Sequence, residues 1–278
     1  MDTEKLFKQS QQIRRDILEM ICEAKSGHPG GSLSCVEILT SLYFTGVLNH
    51  DPKNPNMLDR DRFILCKGHA APALYSVLSR CGYFSGEHLM TLRKVGSILQ
   101  GHPDSSLVSG VEISTGSLGQ GLSIASGIAC GLELKGLDSY VYALLGDGEC
   151  QEGQVWEAAT FAAHKNLSRL IAIVDANGLQ IDGACEDVCE SANLGTKFEA
   201  FGWNVFYVDG HNIEMLVDTF NLIKQSSFRG PSVVIASTIK GKGVSFMQNK
   251  ASWHGNAPSK EQLIVALSDI DTMGVGND

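Results

Sequence analysis

A β-α-β unit between residues 139 and 183 constrains the fold of this chain more than any other feature. Residues 140–145 and 170–174 are short apolar runs typical of buried strands, and residues 154–164 have the spacing of an amphipathic helix. A helical crossover makes two such strands parallel, so both should end at the same edge of one sheet. That edge is where α/β folds bind ligands.

An oxygen-bearing side chain follows each predicted strand. Asp147 stands between Gly146 and Gly148 after the first strand, and Asn177 stands before Gly178 after the second. Mg²⁺ prefers a shell of oxygens, with few protein ligands and the remainder from water or phosphates. The glycines would let a diphosphate approach the backbone, since no Cβ intervenes. Taken alone, Gly-Asp-Gly is also compatible with an ordinary turn.

The composition favours a globular protein and disfavours two classes of partner. The chain has 278 residues, 43% of them hydrophobic, which is enough for one large α/β domain. Its net charge of −9 argues against nucleic acid or an anionic membrane, because either would require a basic patch. A phosphate-bearing ligand would therefore depend on backbone amides, a few lysines and a metal.

The eight cysteines are scattered without a Cys-x-x-Cys motif, and only Cys185 and Cys189 lie four residues apart. This spacing, with no second pair, gives poor support for a zinc site. Reduced thiols, no secretory signal and no membrane-spanning run predict a cytoplasmic protein.

The remaining pattern continues the alternation of strand and helix. Ser34, with Glu37 three residues later, predicts a capped helix running to about residue 44. Strands are predicted over 62–66, 204–208 and 232–237, and helices over 3–24, 72–78, 122–134, 213–224 and 260–267. We therefore expect a single domain over residues 1–278, with a doubly wound, mostly parallel sheet and helices on both faces.

Several short motifs combine glycine with histidine, at residues 26–31, 67–70, 101–103 and 253–255. A glycine-rich run at 115–121 precedes the predicted helix 122–134. A helix N-terminus of this kind suits an anion, although close helix packing would explain its small residues equally well.

These motifs, in this order, resemble the N-terminal, diphosphate-binding half of the transketolases. The resemblance spans nearly the whole chain and includes Lys-Ser-Gly-His-Pro-Gly at 25–30, Lys-Gly-His-Ala at 67–70, Gly-Asp-Gly at 146–148 and Trp-His-Gly at 253–255. It implies thiamine diphosphate as cofactor, held through Mg²⁺ or another divalent cation such as Ca²⁺ or Mn²⁺. It also implies transfer of a ketol group in carbohydrate metabolism, within the pentose phosphate pathway.

The resemblance assigns roles to individual residues. It implies that Asp147, Asn177 and the Leu179 carbonyl bind the metal. It implies that His28, His102 and His254 are catalytic, and that the cofactor contacts are His69, Gly116, Leu118, Gly146, Asp147, Gly148, Glu152, Asn177 and His254. Histidine suits the proton transfers of such a reaction, because its unperturbed pKa lies near neutrality.

Some residues keep two interpretations. Glu152 resembles a family carboxylate at a subunit interface, but a charge at a helix N-terminus is also favoured by the helix dipole. Lys240 and Lys242 could screen phosphate or lie in a solvated turn. The other histidines, His50, His88, His164 and His211, are interpreted as ordinary loop hydrogen-bonders.

Full-length transketolases continue into a pyrimidine-binding domain and a C-terminal domain, which are not found in this sequence. The resemblance therefore implies the N-terminal subunit of a split enzyme that needs a C-terminal transketolase subunit, in an assembly of two plus two chains, and acts on sugar phosphates. The alternatives are a subunit of another thiamine-diphosphate synthase and a non-catalytic, cofactor-binding or regulatory paralogue.

Overall fold

The computed structural model describes residues 2–189 and 193–274. The strands within these residues are β1 (Arg62–Leu65), β2 (Val141–Gly146), β3 (Leu170–Ala176), β4 (Leu179–Gln180), β5 (Gly183–Ala184), β6 (Asn204–Asp209) and β7 (Ser232–Ser237). The α-helices are α1 (Thr3–Ala24), α2 (Pro29–Ser34), α3 (Val36–Tyr43), α4 (Ala71–Cys81), α5 (Gln120–Leu134), α6 (Gly153–His164), α7 (Cys185–Val188), α8 (Leu194–Ala200), α9 (Ile213–Gln225) and α10 (Lys260–Thr272).

Five strands form one sheet in the order β1-β2-β3-β7-β6, and every pairing in it is parallel. The two-residue strands β4 and β5 form a separate antiparallel hairpin. The predicted α/β class with a mostly parallel sheet is confirmed. The sheet strands contain continuous apolar runs because helices cover both of their faces.

Alternate residues of the strands enter two different hydrophobic clusters. Leu144 and Ile173 pack with α1 to α4, α9 and α10, whereas Ala143 and Val174 pack with α5, α6 and α8. This alternation follows from the period of two along a strand. Helices on both faces are therefore confirmed.

The predicted β-α-β unit consists of β2, α6 and β3. Gly146, the last residue of β2, is in register with Asp175 near the end of β3. Asp147 and Asn177 consequently follow at the same edge of the sheet, as the sequence predicts.

The prediction that Ser34 caps a helix is wrong. Helix α2 already begins at Pro29, within the glycine–histidine motif at 26–31, and Ser34 is its last residue. Helix α3 is preceded by Cys35, which makes no side-chain cap. Ser34 therefore lies one residue too early to cap α3, and its hydroxyl donates a hydrogen bond of 2.5 Å to Asp175 Oδ2, a charged acceptor.

Among the described helices, none has the length and apolar character that a bilayer span requires.

Candidate functional site

The turn after β2 and the turn after β3 bring together the three predicted metal ligands. The backbone N–H of Gly178 donates to Asp147 Oδ2 at 2.5 Å, so the Asp147 carboxylate reaches the loop after β3. The N–H of Leu179 donates to Asn177 Oδ1 at 3.1 Å. Gly178 has a φ of +74°, a left-handed conformation that favours glycine, and this explains its position between the two ligands.

The donor set fits a hard cation with few protein ligands. Asp147 is 6% exposed, and burial, followed by the charge of Asp175, raises the pKa of its carboxyl group. A bound cation would remove this penalty on the ionised form. No cluster of three His, Cys, Asp or Glu side chains suited to a metal occurs among the described residues, and Mg²⁺ needs only one or two carboxylates when phosphates complete its shell.

The four histidines that the resemblance singled out come together beside these turns. The ring centroids of His69 and His254 are 5.0 Å apart, and that of His28 lies 5.3 Å from His69 and 5.5 Å from His254. His102 is farther out, with its centroid 6.4 Å from that of His28. Residues separated by more than 200 positions thus form one cluster.

All four rings are neutral at pH 7. Burial, and then the charge of Arg93, lower the pKa of His28 to about 4. Burial and Lys240 lower the pKa of His254 to about 4, and the pKa values of His69 and His102 are lowered mainly by burial. A neutral imidazole has a free nitrogen lone pair, so the cluster can accept protons from a bound hydroxyl group.

Lys240 lies between the metal turn and the histidine cluster. Its Nζ donates to the Leu179 carbonyl at 3.1 Å and lies 2.9 Å from His254 Nδ1. The side chain is 2% exposed, so the solvated-turn interpretation is wrong for Lys240, and Lys242 is also buried. Burial and the charge of Lys67 lower the pKa of Lys240 to about 8. An anion bound here would stabilise its charged form.

The glycine-rich run at 115–121 packs against both the histidine cluster and the turn after β1. A Cβ on Gly116 would lie 2.9 Å from the His102 ring, and a Cβ on Gly68 would lie 2.7 Å from the Gly116 nitrogen. Thr115 Oγ1 is buried without a hydrogen-bond partner among the described residues. A polar ligand could satisfy this hydroxyl.

Glu149 connects the two glycine-rich turns, and the sequence interpretation missed it. Its carboxylate accepts from Gly119 N at 3.0 Å and from Gly146 N at 3.1 Å. Burial raises its pKa to about 7. The only signal in the sequence was an acidic residue immediately after Gly-Asp-Gly.

The other predicted contacts lie at the rim of the site. Glu152 is exposed and precedes α6 without capping it, and its Cβ would meet a Cβ on Gly119 at 2.7 Å. Leu118 is 36% exposed. An exposed apolar side chain beside an exposed carboxylate is compatible with an interface role and also with an ordinary helix N-terminus.

Comparison with known proteins places these features in one family. Residues 7–270 match the family described as "Transketolase, thiamine diphosphate binding domain". The chain is 41% identical over 266 residues to a 6-deoxy-6-sulfo-D-fructose transketolase subunit of Clostridium sp. (strain MSTE9), covering 96% of each chain. It is 40% identical over 270 residues to one subunit of the apulose-4-phosphate transketolase of Phocaeicola vulgatus, covering 97% of this chain and 95% of that one.

Longer relatives match over part of their length. Human transketolase is 40% identical over 261 residues, which cover 93% of this chain and 41% of the human protein. The crystal structure of Campylobacter jejuni transketolase superposes with a TM-score of 0.91 at 32% identity, covering 99% of this chain and 44% of that one.

Proposed function

The chain belongs to the transketolase family, in its thiamine diphosphate-binding part, and we infer that it is the N-terminal subunit of a split transketolase. In this proposal it takes part in transfer of a two-carbon ketol unit from a ketose phosphate to an aldose phosphate. We treat residues 1–278 as one domain of that enzyme.

The observation that carries this inference is the extent of the match to relatives named as subunits. The alignments cover 96% and 95% of two such subunits, against 41% of human transketolase. Since the pyrimidine-binding half belongs to the remainder of a full-length enzyme, we propose a C-terminal partner chain and an assembly of two plus two chains. Pairing would complete each site, because this chain supplies one end of the cofactor pocket.

We propose that Asp147, Asn177 and the Leu179 carbonyl bind Mg²⁺, and that the metal binds the cofactor diphosphate. The fit of this donor set to a hard cation supports the assignment. Lys240, His69 and His254 would face the diphosphate, with the backbone at Gly116, Leu118, Gly146 and Gly148 near the cofactor. Glu152 would lie at the subunit interface.

Bound thiamine diphosphate supplies the nucleophilic carbon and takes up electrons from the bond that breaks. The chain's own residues orient the substrate and handle protons. We propose that His28, His102 and His254 accept and return the protons of substrate hydroxyl groups, which their neutral state at pH 7 permits. The packed loops around them would exclude water from the reacting atoms.

Sugar phosphates are the proposed substrates, in the pentose phosphate pathway. The two subunit relatives are named for a sulfosugar and for apulose 4-phosphate, at 41% and 40% identity. Sequence identity to these relatives therefore does not show whether the substrate of this chain carries a sulfonate or a phosphate group. A cytoplasmic location agrees with the eight free cysteines.

The test is to purify the chain with and without a co-expressed partner and to measure ketol transfer with thiamine diphosphate and Mg²⁺. A panel of phosphorylated and sulfonated ketoses as donors would define the substrate class. We expect activity only from the complex. Full activity of the chain alone would contradict the split-enzyme proposal, and an inactive complex that still binds cofactor would favour a non-catalytic role.

A further inference from the structure

The loop after β7 carries Lys240 into the site, and two hydrogen bonds hold the backbone on either side of this lysine. The first is donated by the N–H of Ile239 to His211 Nε2 at 2.8 Å. The second is donated by Arg14 Nε to the carbonyl of Lys242 at 3.2 Å. Both bonds involve side chains that lie outside the candidate site.

The hydrogen bonds of His211 define its tautomer. Nε2 accepts a hydrogen bond from a backbone N–H, so it must carry a lone pair. Nδ1 lies 2.9 Å from Glu37 Oε2 and must therefore be the protonated nitrogen that donates to this carboxylate. The ring is a neutral bridge between α3 and the loop after β7.

Glu37 is the common anchor of both backbone contacts. Its two oxygens accept from Arg14 Nη1 at 2.5 Å and from Arg14 Nη2 at 2.8 Å. Arg14 is 1% exposed and Glu37 is 7% exposed. Burial opposes ionisation of Glu37, but Arg14 and then His211 lower its pKa to about 2. The carboxylate is therefore charged at neutral pH.

A buried ion pair of this kind is weak support for stability, because desolvation offsets much of the attraction. The specific positions that the Arg14–Glu37 pair gives to the side chains around it explain its presence better than a gain in stability does. Arg14 on α1 and His211 after β6 both bind Glu37 on α3, and both make hydrogen bonds to the backbone of one loop, at residues 242 and 239. Lys240 lies between these two residues.

We propose that His211 and Arg14, anchored by Glu37, are positioning residues that set the Lys240 ammonium for the cofactor diphosphate. This inference rests on the proposed function, in which Lys240 faces that diphosphate. His211, which the sequence suggested was an ordinary loop residue, acts through the Ile239 N–H. Arg14 acts through the Lys242 carbonyl.

Two substitutions of similar size test whether His211 acts through its hydrogen bond to Ile239 or only by filling space. In His211→Gln, the side-chain oxygen can reach the place of Nε2 and accept from Ile239. In His211→Asn, the amide can donate to Glu37 from the place of Nδ1 but cannot reach Ile239. The full chain, co-expressed with its partner, is titrated with thiamine diphosphate and Mg²⁺ by isothermal calorimetry, with Lys240→Met as the reference variant.

We expect Lys240→Met to raise the Kd for thiamine diphosphate by at least about tenfold, since a charge-assisted contact is lost. His211→Asn should raise the Kd in the same direction, whereas His211→Gln should stay within about threefold of wild type. In the double variant His211→Asn with Lys240→Met, the Kd should match that of Lys240→Met alone, because both changes remove one interaction.

Equal losses in His211→Asn and His211→Gln, or additive losses in the double variant, would overturn the proposal. Hydrogen exchange of the peptide over residues 239–249 gives a second measurement on the cofactor-free chain. His211→Asn should speed exchange there but not in β2, and equal acceleration in both segments would also overturn it. Failure of the wild-type complex to bind thiamine diphosphate would instead overturn the proposed function.

Discussion

Lys67 and Asp175 form an ion pair in the buried centre of the protein, directly beneath the candidate metal ligands. The Asp175 carboxylate also accepts hydrogen bonds from the hydroxyls of Ser34 and Thr238. Although burial opposes it, the pair raises the pKa of Lys67 and lowers that of Asp175. Lys67 Nζ further donates to the Gly31 carbonyl at 2.8 Å, so one cluster connects the segments that carry His28, His69 and Asn177.

Lys67→Met should therefore lower the free energy of unfolding by about 3 to 5 kcal/mol at pH 7, because Asp175 remains buried without its counter-charge. Urea denaturation of the cofactor-free chain measures this change. Lys94→Met is the matched control, since Lys94 pairs with Glu23 at the surface, where both side chains are nearly half exposed. Its effect on the free energy of unfolding should be much smaller, because solvent screens an exposed pair. Equal costs for the two variants would argue against an essential pair at Lys67.

Asp147→Asn should abolish metal-dependent cofactor binding while leaving the fold intact. Because burial raises the pKa of the Asp147 carboxyl group, the neutral amide should leave the cofactor-free Tm unchanged or slightly higher. Thermal shift with and without thiamine diphosphate and Mg²⁺ is the measurement, and the ligand-induced rise in Tm should disappear. Asp138→Asn, at a side chain that is 88% exposed, should keep the full rise. An unchanged rise in Asp147→Asn would remove Asp147 from the metal site.

Two glycines of helix α5 should respond in opposite ways to alanine. A Cβ at Gly121 would lie 2.4 Å from Cys66 Sγ and 2.8 Å from its Cα, whereas nothing lies within 4 Å of a Cβ at Gly127. Gly121→Ala should destabilise the chain by about 1 to 3 kcal/mol through overpacking. Gly127→Ala should stabilise it by up to about 1 kcal/mol through helix propensity. Thermal denaturation of the isolated chain compares them, and stabilisation by Gly121→Ala would show that α5 can move away from β1.

The histidine cluster should make stability depend on pH between about 6.5 and 4. His28 has a pKa of about 4 in the folded chain, below its unfolded value of 6.5. The unfolded chain therefore binds more protons in this interval, and the free energy of unfolding should fall as the pH falls. Glu149, with a pKa raised to about 7, acts in the opposite direction, so the comparison must be with a variant.

The variant is His28→Gln, whose stability should fall less steeply than that of wild type. Urea denaturation of the cofactor-free chain at about pH 7, 6 and 5 gives the slopes. Indistinguishable slopes would mean that the pKa of His28 is not lowered in the folded chain.

The apolar pattern along the sequence was sufficient to predict the strands and helix that surround the candidate site. The strands β2 and β3 are apolar because both of their faces are buried, and helix α6 has the length of a crossover, so the class and the shared edge of the sheet follow. Asp147 and Asn177 were predicted together for that reason. The Ser34 prediction failed because the helix that begins at Pro29 already includes Ser34, and a local motif does not contain the hydrogen bond from its hydroxyl to Asp175, 141 positions later.

The sequence alone determined the parallel α/β class and the shared sheet edge at which Asp147 and Asn177 lie, because these depend on periodicity and on a short crossover. Only the tertiary structure decided that His28, His69 and His254 share one cluster, that Lys240 is buried beside them and that Arg14, Glu37 and His211 hold its loop. These contacts join residues from 14 to 226 positions apart, and their energies come from desolvation and charge in a packed interior, which no local pattern encodes.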